Sequence, residues 1–177
     1  MRAHVTIWVW PHACQGYDLD VSESHRKLAA DTWGALLQFH AALVPTLDRL
    51  VREQAGLPLT WYDVLLELAG ATDGKLRMSV LAERVVLSRT RVSRLVDELS
   101  GEGLVCREDN PEDGRSAYAV LTDTGLRRFR AAAPIYVNAI EARFAAGLSK
   151  EDLRELKRVL LAVQDHIVPA SVVRSRD

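Results

Sequence analysis

Few folds can accommodate the stretch Leu-Ser-Arg-Thr-Arg-Val-Ser-Arg-Leu-Val-Asp-Glu-Leu at Leu87 to Leu99. On a helix of about 3.6 residues per turn, Val92, Leu95, Val96 and Leu99 fall at i, i+3, i+4 and i+7 and form one apolar stripe that must face a core. Thr90 and Arg94 then stand nearly opposite the stripe, with Ser93 and Arg91 beside them. From Leu87 to Val96 the stretch carries arginines and no acid. Ser88 is a good N-cap, and a capped helix N-terminus flanked by arginines can receive a phosphate or a base edge. A DNA-recognition helix is the sharpest reading. An amphipathic helix with a solvated charged face is nonetheless common, so the flanks must decide.

Composition sets the frame for that patch. With 177 residues, 48% hydrophobic and 27% charged, the chain is long enough for a real core. Its net charge of −1 means that affinity for nucleic acid has to come from a local surface. Cys14 and Cys106 lack C-x-x-C spacing, which argues against a disulfide scaffold or structural zinc and for a reducing cytoplasm. His12 and Cys14 have no further ligands nearby. The Val5 to Trp10 apolar run, broken by Pro11, is too short to span a membrane and poorly shaped as a signal peptide.

A helical pattern runs from Ser22 to about Gln54, capped by Ser22 or Ser24, with a kink or break expected near Pro45 and an end at Gly56 and Pro58. Thr60 is expected to cap a short helix through Leu68, closed by Gly70. Leu76 to Val85 reads as a scaffold helix, and the glycine-free turn Val85-Val86-Leu87 joins it to the opening stretch. Ser100 to Gly103 stops that helix. Leu104 to Arg107 and Ser116 to Leu121 then read as two strands of a wing around the loop Glu108 to Arg115. Four acids in that loop, Glu108, Asp109, Glu112 and Asp113, oppose Arg115 at its tip and count against close approach to a phosphate backbone. Thr122 caps the next helix, Pro134 punctuates it, and a capping-box-like Ser149 opens a last helix to Pro169.

Together, Leu81-Ala82-Glu83-Arg84, Leu87 to Leu99, Glu102-Gly103-Leu104-Val105, Asp113-Gly114-Arg115 and Leu121-Thr122-Asp123-Thr124-Gly125 resemble the MarR family of transcription regulators, in an order of elements covering roughly residues 28–166. The resemblance implies a mainly α fold with a small β-wing: a winged helix-turn-helix lobe at 57–125 and a helical dimerisation region at 21–56 and 126–170 of a triangular homodimer. Residues 1–20 remain an arm of unknown role, and 171–177 a flexible tail. It also implies that Ser88, Arg89, Thr90, Ser93 and Arg94 face the major groove of double-stranded DNA at a pseudo-palindromic operator, assisted by Arg91, while Arg115 enters the minor groove. The family's wing commonly reads Asp-Arg-Arg or Asp-x-Arg, and Gly114 takes the middle place here. A pocket for a small organic anion is implied between base and lobe, with Trp33, His40, Trp61, Tyr62 and Asp63 on the segments that would line it.

The expected function is therefore a ligand-responsive repressor without cofactor or metal. The alternative is a winged-helix module that docks proteins and binds no DNA, which the acidic wing and near-neutral charge favour. An enzyme is not expected, because the five histidines are scattered and no phosphate loop, metal spacing or nucleophile-base arrangement is visible. At the wing strand Cys106 is expected to pack, in preference to a redox role.

Overall fold

The computed structural model describes residues 25–110 and 116–167. The arm over 1–20, the caps at Ser22 and Ser24, Arg115 at the wing tip and the tail lie outside them. Two compact units divide the chain at Ala41 and Ala42. The elements run α1 (His25–Ala55), α2 (Leu59–Ala69), a 3-10 turn (Thr72–Gly74), β1 (Lys75–Arg77), α3 (Met78–Arg84), α4 (Arg89–Gly101), β2 (Val105–Asp109), β3 (Ala117–Leu121), α5 (Asp123–Ile140), a π turn (Glu141–Ala145) and α6 (Lys150–Ile167). Among the described residues no helix is long and apolar enough to cross a membrane.

Pro45 does not break α1, which stays helical to Ala55. A proline removes one backbone donor, and next to it the Thr46 hydroxyl donates to the Ala42 carbonyl at 2.9 Å. Gly56, at φ +62°, ends the helix in the left-handed geometry that only glycine takes without strain. Thr60 is not the cap of α2. The helix begins at Leu59, two residues before a Thr60 cap would start it, with Pro58 in the N-cap position and no side-chain cap of its own. Its orphan donor is met from α1, where Asp48 Oδ1 accepts from the Leu59 amide at 2.8 Å.

The expected scaffold helix is shorter than its apolar pattern. Lys75–Arg77 form a strand, so the sheet has three strands in the order β1-β3-β2, all antiparallel, where the sequence suggests two. Leu76 pairs with Ala119 at the sheet's core, with Lys75 and Arg77 exposed on either side. A three-residue strand is too short to display alternation, and its single leucine also fits the helical register of α3. β2 also runs two residues further than its hydrophobic start suggests, to Asp109. In the turn after α3, Val86 sits at φ +54° with its side chain 85% exposed. A β-branched residue is strained there.

Val92, Leu95, Val96 and Leu99 of α4 are all buried, as the stripe requires. They share one core with Val64, Leu65 and Leu68 of α2, Leu81 and Ala82 of α3, and Ala119. Thr122 ties the sheet to α5. Its Oγ1 accepts from the Gly125 amide at 3.0 Å, and its hydroxyl proton lies between the carbonyls of Gly103 (2.7 Å) and Leu104 (3.0 Å). Gly125 is buried there so tightly that a Cβ would stand 2.0 Å from the Leu104 carbonyl oxygen. Pro134 leaves α5 uninterrupted to Ile140, where the π turn follows directly. At the start of α6, Ser149 Oγ accepts from the Asp152 amide at 3.1 Å while Asp152 Oδ2 accepts from the Ser149 amide at 2.9 Å. The Ser149 hydroxyl also donates to Asp152 Oδ2 at 2.7 Å, and this bond, with that from the Ser149 amide, holds the Asp152 carboxyl below its ordinary value. No residue of α6 is buried.

Two substitutions test these contacts by thermal or urea denaturation. Gly125→Ala is expected to lower stability by about 3 kcal/mol, because the new methyl meets backbone that cannot yield. Val86→Gly is expected to raise it by about 1 kcal/mol, by relieving the left-handed turn at little loss of packing.

Candidate nucleic-acid interface

The local chemistry of α4 fixes which of its side chains face outward. Ser88 caps it, its Oγ accepting from the Arg91 amide at 3.3 Å, so the first turn keeps the fixed entry that the sequence suggests. Because the apolar stripe is buried, the opposite ridge is set: Ser88, Arg89, Thr90, Arg91 and Arg94 are exposed and Ser93 is half-buried. Ser88, Thr90, Arg91 and Arg94 line one open groove beside Leu95 and Glu98. Arg89 and Ser93 line another, of 430 Å3, with Ser79, Arg107 and Ser116. The six helix residues singled out in the sequence are thus brought to one surface, divided over two flanks of one helix.

Each flank is held by a residue of a different element. On the Ser93 side, Arg107 of β2 donates to the Ser93 carbonyl at 3.0 Å and to Ser93 Oγ at 2.8 Å, and pairs with Asp97 Oδ1 at 2.9 Å. On the other side, Trp61 of α2 donates through Nε1 to Glu98 Oε2 at 3.2 Å. Arg107 is a site residue that sequence reasoning misses. Strand alternation carries the signal for it: Val105 is buried, so Arg107, two residues on, points to the same side of β2, where α4 packs. No spacing rule joins Trp61 to Glu98.

One acid of the wing, Glu108, has a cation beside it. Glu108 stands 3.9 Å from Lys75, whose ammonium lies over the Tyr118 ring at 5.1 Å. Arg77 Nε donates to the Tyr118 hydroxyl at 3.3 Å on the same outer face. At the neck of the loop, buried Asn110 donates through Nδ2 to Ser116 Oγ at 2.8 Å. Cys106 is exposed on the outer face of β2, opposite Val120, and so does not pack as expected. Strand alternation from buried Val105 turns it outward.

Of the residues proposed for a small-molecule pocket, Trp33 and His40 are exposed on the first half of α1. Trp61 is engaged with Glu98 as above. Tyr62 is buried, its ring 5.3 Å from that of Phe129 and 4.8 Å from that of Tyr136. Beside it, burial and then the charge of Glu67 push the Asp63 carboxyl from its ordinary 3.8 up to about 6. Burial, followed by the charge of Asp63, likewise raises both Tyr62 and Tyr136. Glu67 itself faces Arg84 of α3 at 3.7 Å. The structure therefore gathers Tyr62, Asp63, Phe129 and Tyr136 where α2 meets α5. Among the described residues no group of three or more His, Cys, Asp or Glu could hold a metal ion.

Comparison with known proteins gives a consistent picture. The family model for the MarR family matches residues 55–116. The crystal structure of Sco3205, a MarR family transcriptional regulator from Streptomyces coelicolor in complex with DNA, is similar with a TM-score of 0.74 and 30% identity over 84% of this chain and 95% of that one. AbsC, a MarR family regulator from the same organism, gives a TM-score of 0.71 and 30% identity over 81% and 95%. An uncharacterized HTH-type transcriptional regulator of Bacillus subtilis, YkoM, is 34% identical over 85 residues, 48% of this chain and 54% of that protein, so the match spans about half the relative's length. The transcriptional repressor MprA of Escherichia coli is 24% identical over 139 residues, 77% of this chain and 78% of that protein.

Asp63 yields a pH prediction. Its folded-state value lies above the unfolded one, so the fold binds the extra proton and its stability falls as pH rises from about 4 to about 6. Asp63→Asn is expected to flatten that slope and to gain about 1 kcal/mol at pH 7, less than the full shift because water still screens the carboxylate. Urea unfolding at pH 4, 5, 6 and 7 measures both effects.

Proposed function

We propose, from the premise that this chain belongs to the MarR family of transcription regulators, that it is a sequence-specific double-stranded DNA-binding regulator and acts as a ligand-responsive repressor. One observation carries the reading: α4 is capped by Ser88, buried along its apolar stripe, and turns Thr90 and Arg94 outward between two flanks of polar side chains. In this reading Arg94, Thr90 and Ser93 meet base edges in the major groove, Ser88, Arg89 and Arg91 make the contacts that orient the helix, and Arg115 enters the minor groove. That Sco3205 is seen with DNA and that MprA is a repressor support it.

A homodimer supplies two such helices to a pseudo-palindromic operator. Its base is formed by the helices at 21–56 and 126–170, and the lobe at 57–125 carries the reading surface. Exposed Leu156, Leu160, Val163 and Ile167 recur along one side of α6, and exposed Leu28, Trp33, Leu36 and Leu37 along α1, as surfaces that a second copy would cover. The effector is a small organic anion, for which Trp33, His40, Trp61, Tyr62 and Asp63 are the proposed contacts. It releases DNA by binding best to a conformation whose two helices are mis-spaced for successive major grooves. Such a regulator works in the cytoplasm, where the DNA is.

A duplex selected by the protein from random sequence provides the test, followed by fluorescence anisotropy. Arg94→Ala is expected to weaken binding at least about tenfold with the dimer mass unchanged; equal binding refutes the assignment. Arg115→Ala is expected to lower the salt slope by about one ion if it pairs with phosphate, or to change A·T preference if it reads the minor groove. Thermal-shift screening of small organic acids, with hits assayed for release of the duplex, tests the effector.

A further inference from the structure

We infer that Arg107 and Trp61 are positioning residues which, by gripping opposite flanks of α4, fix the roll of the recognition helix about its own axis. The inference rests on the DNA-binding reading above and names how that reading surface is held.

Apolar burial is non-directional, so a helix lying on the stripe Val92, Leu95, Val96 and Leu99 can roll with little change in buried area. Rolling matters at the tips. A guanidinium about 9 Å from the helix axis travels about 3 Å when the helix rolls by about 20°, enough to break a bidentate bond to a guanine. Hydrogen bonds and ion pairs do have direction, and α4 carries one set on each flank. Arg107 meets Ser93 and Asp97 from β2, and Trp61 meets Glu98 from α2. Thr90 and Arg94 lie on the ridge between them. Neither clamp alone resists roll in both directions; the two together do.

Two features of the sequence acquire a reason. Asp97 and Glu98 are acids on a helix that is to approach phosphates, which is unfavourable unless each has a partner in the protein, and each has one. Ser93 Oγ accepts from Arg107, which leaves its hydroxyl proton to be given to an acceptor on the DNA. Its orientation is then set by the clamp as well as by the helix.

Anisotropy titrations test this with two probes: a duplex selected by the wild-type protein from random sequence, and a scrambled duplex of the same composition. Trp61→Phe, Glu98→Ala and Arg107→Met are each expected to lower the ratio of selected to scrambled affinity about tenfold, over and above whatever the altered charge does to both duplexes alike. Partial unfolding would weaken both duplexes equally, so the ratio separates positioning from stability. Glu98→Gln, which keeps an acceptor for the indole, is expected to retain the wild-type ratio. An unchanged ratio in Trp61→Phe and Arg107→Met overturns the inference while leaving DNA binding intact. So does a salt slope that falls by about one in Arg107→Met, which would make Arg107 a direct phosphate contact. Failure of the wild-type protein to select any duplex overturns the clamps and the DNA-binding reading together.

Discussion

Burial of four aliphatic side chains on α4 is the constraint to which the rest of the lobe answers. Val92, Leu95, Val96 and Leu99 lie in one core with residues of α2, α3 and β3. Because a helix has a fixed periodicity, satisfying that core turns Thr90 and Arg94 to the surface. Which side of α4 is polar and outward is therefore a by-product of hydrophobic packing, while its fine roll is left to directional contacts. α3 is only seven residues long, yet Leu81 and Ala82 suffice to close the core beneath the turn. A small residue at that crossing lets the two helices approach closely.

What the chain discloses before folding depends on whether the governing interaction is periodic or local. The stripe of α4, the Ser88 cap, the Thr122 cap and the Ser149 cap are short-range, and each is legible from residue type and spacing. The three-residue strand β1 is not, since Leu76 fits a strand and a helix equally. The cap on α2 is not legible either, because Asp48 reaches it from another helix eleven residues back. Both prolines read as interruptions by their intrinsic cost, yet α1 and α5 continue through them. One lost hydrogen bond is small against the many that the rest of each helix retains. At the reading surface the arginines and hydroxyls of α4 are visible in the sequence, whereas their restraints by Arg107 and Trp61 are tertiary.

Charge on this molecule is balanced locally. A chain of net charge −1 has no general attraction for a polyanion, and three acids close to α4 or on the wing have partners in the protein. Lys75 answers Glu108, Arg107 answers Asp97, and the Trp61 indole answers Glu98 without a counter-charge. Among the described residues Asp63 has no such partner beside it. Burial first, and then the charge of Glu67, raise its proton affinity.

Seating Gly125 against the Leu104 carbonyl has a mechanical consequence. With no room for even a methyl group between them, the first turn of α5 and the end of the wing sheet must move as one body. α5 runs on from Gly125 to Ile140, so it projects about 23 Å from that seat. A sideways displacement of about 2 Å at the Ile140 end then corresponds to a tilt of only about 5° at the sheet. The glycine makes α5 a lever arm welded to the lobe it would turn.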